Sequence, residues 1–216
     1  MVSVRKASSD ISQWESSLPG LSSGQLSITS VEVIDVEPLI EEYPYSDQRI
    51  LEAQFKYETT NPFDKSVKRV YSGELSYRSG SGIILVSTES DTPSSGEIIQ
   101  KLGKILPENV EIYPGLFPTR QAIWDFIKEA DEILEVEILY KGQLRSHSEI
   151  DGLDLADIAG KYIVERADII FERNKQNILV TYADDSLDIQ NQAEDGEIND
   201  DTEYITQIFE REVISK

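Results

Sequence analysis

The residues best suited to chemistry in this chain surround its single histidine. His147 and Glu149 stand two apart in a polar stretch, and Asp151, Asp154 and Asp157 follow. On an extended segment residues i and i+2 face the same way, and Asp154 and Asp157 share a helical face, so the run has the outline of a mononuclear metal shell. The same acids also suit the start of a short helix, where carboxylates satisfy free N–H groups and the macrodipole. Capping is the favoured reading. His147, Glu149, Asp151 and Asp154 stay as weak metal candidates, and no metal or other cofactor is expected.

Other chemistries lack their parts. A lone histidine in a polar stretch reads as a solvated loop residue, so His147 is expected to be dispensable. A serine hydrolase is not expected, because a Ser–His–Asp triad could draw only on this one imidazole. There is no cysteine, hence no thiolate and no disulfide framework. Neither Gly-x-x-x-x-Gly-Lys-Ser/Thr nor Gly-x-Gly-x-x-Gly occurs, and no Asp-x-Lys or Glu-x-Lys offers the usual nuclease pair. No catalytic residue is assigned, and the balance leans away from an enzyme.

Charge narrows the partners. The 216 residues hold 41 acids against 20 bases, a formal charge of −21. That opposes binding to phosphate backbones or anionic membrane. The cluster Lys65, Lys68, Arg69 and Arg78 is too small to reverse it. No apolar run is long enough to span a bilayer, and no apolar leader follows the N-terminus. A cytoplasmic location is the expectation. The acidity is uneven, because Asp184–Glu203 holds nine acids and no base. A local acidic segment is therefore preferred over general salt adaptation.

The elements that must position any site read as follows. Residues 1–25 form a Ser-rich arm. In Arg49–Glu58, Leu51, Ala53, Phe55 and Tyr57 alternate with polar residues, the period-2 mark of a half-buried strand. Ser27–Glu37, Lys68–Arg78 and Gly82–Ser87 join it in an N-terminal antiparallel meander. Ser94 caps a helix stopped by Pro107, and Thr119 caps a second through about Asp131. Ile133–Tyr140 is a strand, Asp151 caps a short helix, and Ile163–Glu172 and Ile178–Ile189 form a hairpin. Phe55, Tyr71, Leu75, Ile84, Trp124, Val136, Ile169, Leu179 and Val180 are among the expected core. The fold class is α+β with a mainly antiparallel sheet and interspersed helices. The core spans 26–189, with a possible division into 26–106 and 107–189.

The C-terminal part is an acidic tether, 190–199, followed by an amphipathic helix, 200–216. Tyr204, Ile205, Ile208 and Phe209 make its apolar stripe, with Glu203, Gln207, Glu210 and Arg211 outside it. They are the expected contact residues, on this chain's own sheet, a second copy or a partner. Function is read as that of a non-enzymatic acidic interaction protein or accessory subunit, with a protein partner or self-association and no direct nucleic-acid contact. One alternative is a nucleic-acid mimic that blocks a basic DNA- or RNA-binding protein. Another is a metal-dependent hydrolase using dispersed Asp and Glu.

Overall fold

The structure, a computed structural model, describes residues 1–8, 10–60, 68–89, 93–150, 154–190 and 199–215. The fold is α+β, and the strands within each of its two units pair antiparallel. The chain divides into two compact units: Met1–Glu37 with Tyr45–Pro114 and Gln192–Asn199, and Pro38–Pro44 with Gly115–Asn191 and Asp200–Lys216. The division thus falls at Pro114, with two short exchanges, rather than at residue 106.

Unit 1 contains β1 (Val2–Ser8), α1 (Ile11–Ser17), β2 (Ser22–Ser23), β3 (Leu26–Asp35), β4 (Arg49–Thr60), β5 (Lys68–Arg78), β6 (Ile83–Thr88), α2 (Ser95–Ile105) and β7 (Glu111–Ile112). The sheet order is β2-β3-β4-β5-β6-β1, and β7 pairs with β1. The β4 alternation is observed, with Leu51, Ala53, Phe55 and Tyr57 buried and Gln54 and Lys56 exposed. Gly73 makes room for this packing: a Cβ there would stand 2.4 Å from Cζ of Phe55 and 2.2 Å from the carbonyl oxygen of Ser87.

The Ser-rich arm is corrected by the fold. Residues 2–6 pair with β6 in the register Val4↔Leu85, Ala7 and Ser8 pair with β7, and Val2 and Val4 are fully buried. Asp10 caps α1 by accepting the Gln13 N–H at 3.0 Å. Trp14 is fully buried and stacks on Tyr77 at 4.9 Å. Ser12, Ser16, Ser22 and Ser23 are exposed around an apolar set that is too short to announce itself as a period.

Unit 2 contains α3 (Arg120–Lys128), β8 (Glu132–Tyr140), β9 (Gln143–Ser146), α4 (Leu155–Ile158), β10 (Val164–Arg173), β11 (Gln176–Ala183), β12 (Ser186–Gln190) and α5 (Asp200–Phe209), the last continued by a π-helical turn, Glu210–Ile214. Its strand order is β12-β11-β10-β8-β9. Thr119 caps α3 by accepting the Ala122 N–H at 3.2 Å. Trp124 is buried and donates its Nε1–H to the Tyr162 carbonyl at 2.8 Å. The Phe126 ring meets Phe171 at 5.5 Å and Phe209 edge-on at 5.2 Å, the arrangement that aromatic quadrupoles favour.

Tight turns join the strands of unit 2. Both residues of Lys141-Gly142, Asn174-Lys175 and Asp184-Asp185 have positive φ, the backbone that matches the twist of two-residue hairpins. The expected strand Ile178–Ile189 is therefore two strands, broken at Asp184-Asp185, because Asp tolerates the left-handed region better than most side chains. Ile178, Val180 and Tyr182 face the core, which leaves Leu179 half-buried on the other side.

Candidate functional site

Of the residues singled out for metal binding, His147 and Glu149 bound a single turn of 3₁₀ helix. His147 is half-buried, and its Nδ1 accepts the backbone N–H of Val136 at 3.1 Å. Asp154 starts α4 in a capping box with Asp157, whose carboxylate accepts the Asp154 N–H at 3.1 Å. Asp151 lies outside the described residues; the N-cap of this helix is Asp154. Among the described residues no three His, Asp or Glu side chains converge as ligands would. Of the expected basic cluster, Lys65 lies outside the described residues, Lys68 pairs with Glu58 at 2.7 Å, and Arg78 is buried.

The C-terminal stripe packs within unit 2. Ile205, Ile208 and Phe209 are buried, and Tyr204 is half-buried with the Arg173 guanidinium 4.9 Å from its ring centre. Arg173 also donates to the Asp200 carbonyl and lies 3.6 Å from the Asp201 carboxylate, so one cation holds the acidic start of α5. Two residues placed outside the stripe are fully buried, Gln207 and Glu210. Gln207 accepts the Leu39 N–H at 2.7 Å and donates to Glu203 at 2.7 Å, while Glu210 accepts the Tyr43 hydroxyl. The segment Pro38–Pro44 covers that side of the helix. Residues 191–198, the heart of the expected tether, lie outside the described residues.

What unit 2 leaves open is a surface built around one bulge. Between Val164 and Arg166 the β8–β10 register slips by a residue, and Glu165 and Arg166 both emerge into solvent. Bulges of this kind re-aim side chains beside functional sites. Glu165 and Asp184 line two adjoining hollows. The larger, about 610 Å³, also takes in Arg120, Ile163, Tyr182 and Asp185. The smaller, about 480 Å³, is bordered by Glu137, Leu139, Leu144 and Arg166. Leu139 and Leu144 lie directly across the β8–β9 hairpin from one another and both are exposed, as is Ile163.

Local contacts fix the acidic wall. A Cβ on Gly115 would stand 2.7 Å from Cβ of Asp185, so only glycine lets the chain pass the Asp184-Asp185 turn so closely. The Asp185 carbonyl accepts the Leu116 N–H at 2.7 Å, and its carboxylate accepts the Tyr182 hydroxyl at 3.0 Å. Burial, then the hydrogen bond to Asp185 and its charge, push the Tyr182 phenol well above its ordinary value. Tyr182 is thus a fixed donor rather than a base. Arg120 is tied to the Lys161 carbonyl at 3.0 Å.

Beside this wall stands Phe117, 63% exposed. Its φ is +51°, although it is bulky and precedes Pro118, a place that favours extended backbone. Strained conformations of this kind cost roughly 1–3 kcal/mol and gather at functional sites. Arg166, by contrast, is held by Asp168 at 2.9 Å, and Thr181 donates to the same carboxylate at 2.7 Å. Burial opposes ionisation of Asp168, yet the hydrogen bonds from Arg166 and Thr181 with the Arg166 charge outweigh it and hold the carboxyl below its usual value.

This surface joins carboxylates, an exposed aromatic ring and exposed aliphatic side chains, a mixture suited to cationic and apolar groups presented together. Sequence reasoning missed it. The available signals were the Asp-Asp pair interrupting an apolar alternation and the apolar Leu116-Phe117 enclosed by Gly115 and Pro118. The chain matches no known family model and no curated protein.

Proposed function

We propose that this protein is a non-enzymatic acidic binding protein, an accessory subunit that works by holding a protein partner against unit 2. The observation that carries the reading is Phe117, exposed and in a strained backbone conformation beside the hollow that Glu165, Asp184 and Asp185 line. Burying such a ring in a partner is worth roughly 1.5–3 kcal/mol. Leu139, Leu144 and Ile163 extend the apolar area, and the carboxylates around them favour lysine and arginine on the other side. Charges of this kind steer encounter and select partners more than they add affinity. The whole chain, at −21, repels acidic proteins and attracts basic ones.

Immobilised wild-type protein, Phe117→Ser and Glu165→Lys are compared as baits for an extract of the native cell, each eluted in steps of salt. The reading requires a protein that is retained by the wild type, released early from Glu165→Lys and lost from Phe117→Ser. The same proteins on all three baits would overturn it.

A further inference from the structure

Among the described residues, no strand pairs with the outer edge of the unit 1 sheet along most of β3. Strand β2 covers only Leu26 and Ser27, and Ile28 adds one further bond, donating its N–H to the Leu21 carbonyl at 2.9 Å. Beyond that point no strand among the described residues pairs with this side of β3. A register shift between Ile28 and Ser30 resets the alternation. Val36 gives its N–H to Gln48 in the line of β4, and backbone groups alternate sides along an antiparallel strand. Residues 34 and 32 therefore face β4, while Val31, Val33 and Asp35 turn their N–H and C=O groups outward. Seven residues with no lysine or proline, Thr29–Asp35, form this edge, and such an edge is a template for another strand.

Side chains state what kind of strand fits. Val31 and Val33 pack against the core on one face. On the other face Ser30, Glu32 and Ile34 are exposed, and Glu32 lies directly opposite Glu52 on β4. Glu74, placed on β5 across from Gln54, borders the same shallow depression as Glu32 and Glu52. Opposite charges on neighbouring strands stabilise the pair, so exposed Glu32 favours a cation beside it on an added strand. A second copy of this chain supplies no such cation. Centred on Val33, self-pairing sets Ile34 against Glu32 and joins two molecules of −21 each.

We infer that the β3 edge of unit 1 accepts an extended, basic segment of another protein by strand addition, with the backbone of Val31, Val33 and Asp35 supplying the hydrogen bonds. Apolar residues of that segment lie beside Val31 and Val33, and lysine or arginine at alternate positions lies beside Glu32. The inference rests on the reading of the chain as a binding protein but uses none of the unit 2 residues.

The probe is a short capped peptide alternating lysine and valine, with a glutamate-valine peptide and a version carrying proline at the central valine as controls. Amide hydrogen exchange of the full chain is followed at Val31, Val33 and Asp35. Expected are slowed exchange at those amides with the lysine peptide alone and roughly tenfold weaker binding to Val33→Pro, which removes one outward donor. Glu32→Lys, which leaves the edge backbone intact, also weakens binding. Equal binding of the proline-interrupted peptide, or binding without protection at these amides, reduces the effect to charge attraction and overturns the inference. Protection without peptide, in a dimer that Val33→Pro converts to monomer, assigns the edge to a second copy and overturns it too. The readout lies in unit 1 alone, so a negative result leaves the reading of unit 2 standing.

Discussion

Val136 donates its backbone N–H to Nδ1 of His147 at 3.1 Å. Strand β9 ends at Ser146, opposite Glu137, and the imidazole takes the position where a continuing β9 would have supplied a carbonyl. An accepting Nδ1 carries no proton, so the ring proton resides on Nε2. The only histidine of the chain is thus an edge cap for β8.

Replacing His147 with alanine should consequently cost about 1 kcal/mol, the usual worth of one hydrogen bond, rather than nothing. The Val136 amide should exchange faster while amides of β10 and β11 are unchanged. Denaturant titration together with residue-resolved exchange checks this, and an unchanged Val136 rate would contradict the capping role.

Phe209 is fully buried against Phe126, so Phe209→Ala should lose about 3–5 kcal/mol, on the scale of large aromatic deletions. Removal of 200–216 should lower the melting temperature of unit 2 for the same reason. A truncated chain that melts like the parent and loses only a partner would restore the stripe Tyr204, Ile205, Ile208 and Phe209 to a docking role.

Gly115→Ala places a methyl group 2.7 Å from Cβ of Asp185. Overpacking of this kind costs about 1–3 kcal/mol, and here it must displace the Asp184-Asp185 turn. The expected outcome is a modest fall in stability with a larger loss of partner retention. A crystal structure of the variant with the turn unmoved would refute the account of the acidic wall.

The depressed carboxyl of Asp168 has a pH signature. A group whose folded value lies below its unfolded one stabilises the protein above the unfolded value, and that stability is lost as pH falls through the folded value. The Asp168→Asn difference in urea midpoint should therefore be largest near neutrality and shrink as the pH drops below 3.8, the ordinary value for this side chain. A difference that is constant with pH would show that the Arg166–Asp168 pair contributes nothing through charge.

How much of this was legible beforehand depends on the range of the interaction. The β4 alternation from Leu51 to Tyr57 and the caps Ser94 and Thr119 are local, and each is found where periodicity and spacing place it. Strand β1 was hidden because Val2 and Val4 gain their meaning only from β6, some 80 residues on. The burial of Gln207 and Glu210 was hidden for the same reason, since their partners Leu39 and Tyr43 are about 167 residues away. The candidate surface was not legible at all. It assembles Phe117, the Glu165 bulge and the Asp184-Asp185 turn from separate connections, and no sequence period links a strained loop residue to a register slip.

The central claim, a protein partner seated on unit 2 at Phe117, is tested most directly by site-specific photocrosslinking in the native cell. A photoreactive residue replaces Phe117 in one protein and exposed Leu144 in a second, with exposed Lys104 of unit 1 as the control position. The account predicts that Phe117 and Leu144 trap the same polypeptide, that Lys104 does not, and that the adduct fades when Asp184→Lys is added. Adducts at Phe117 no different from those at Lys104, or undiminished by the added lysine, would contradict it.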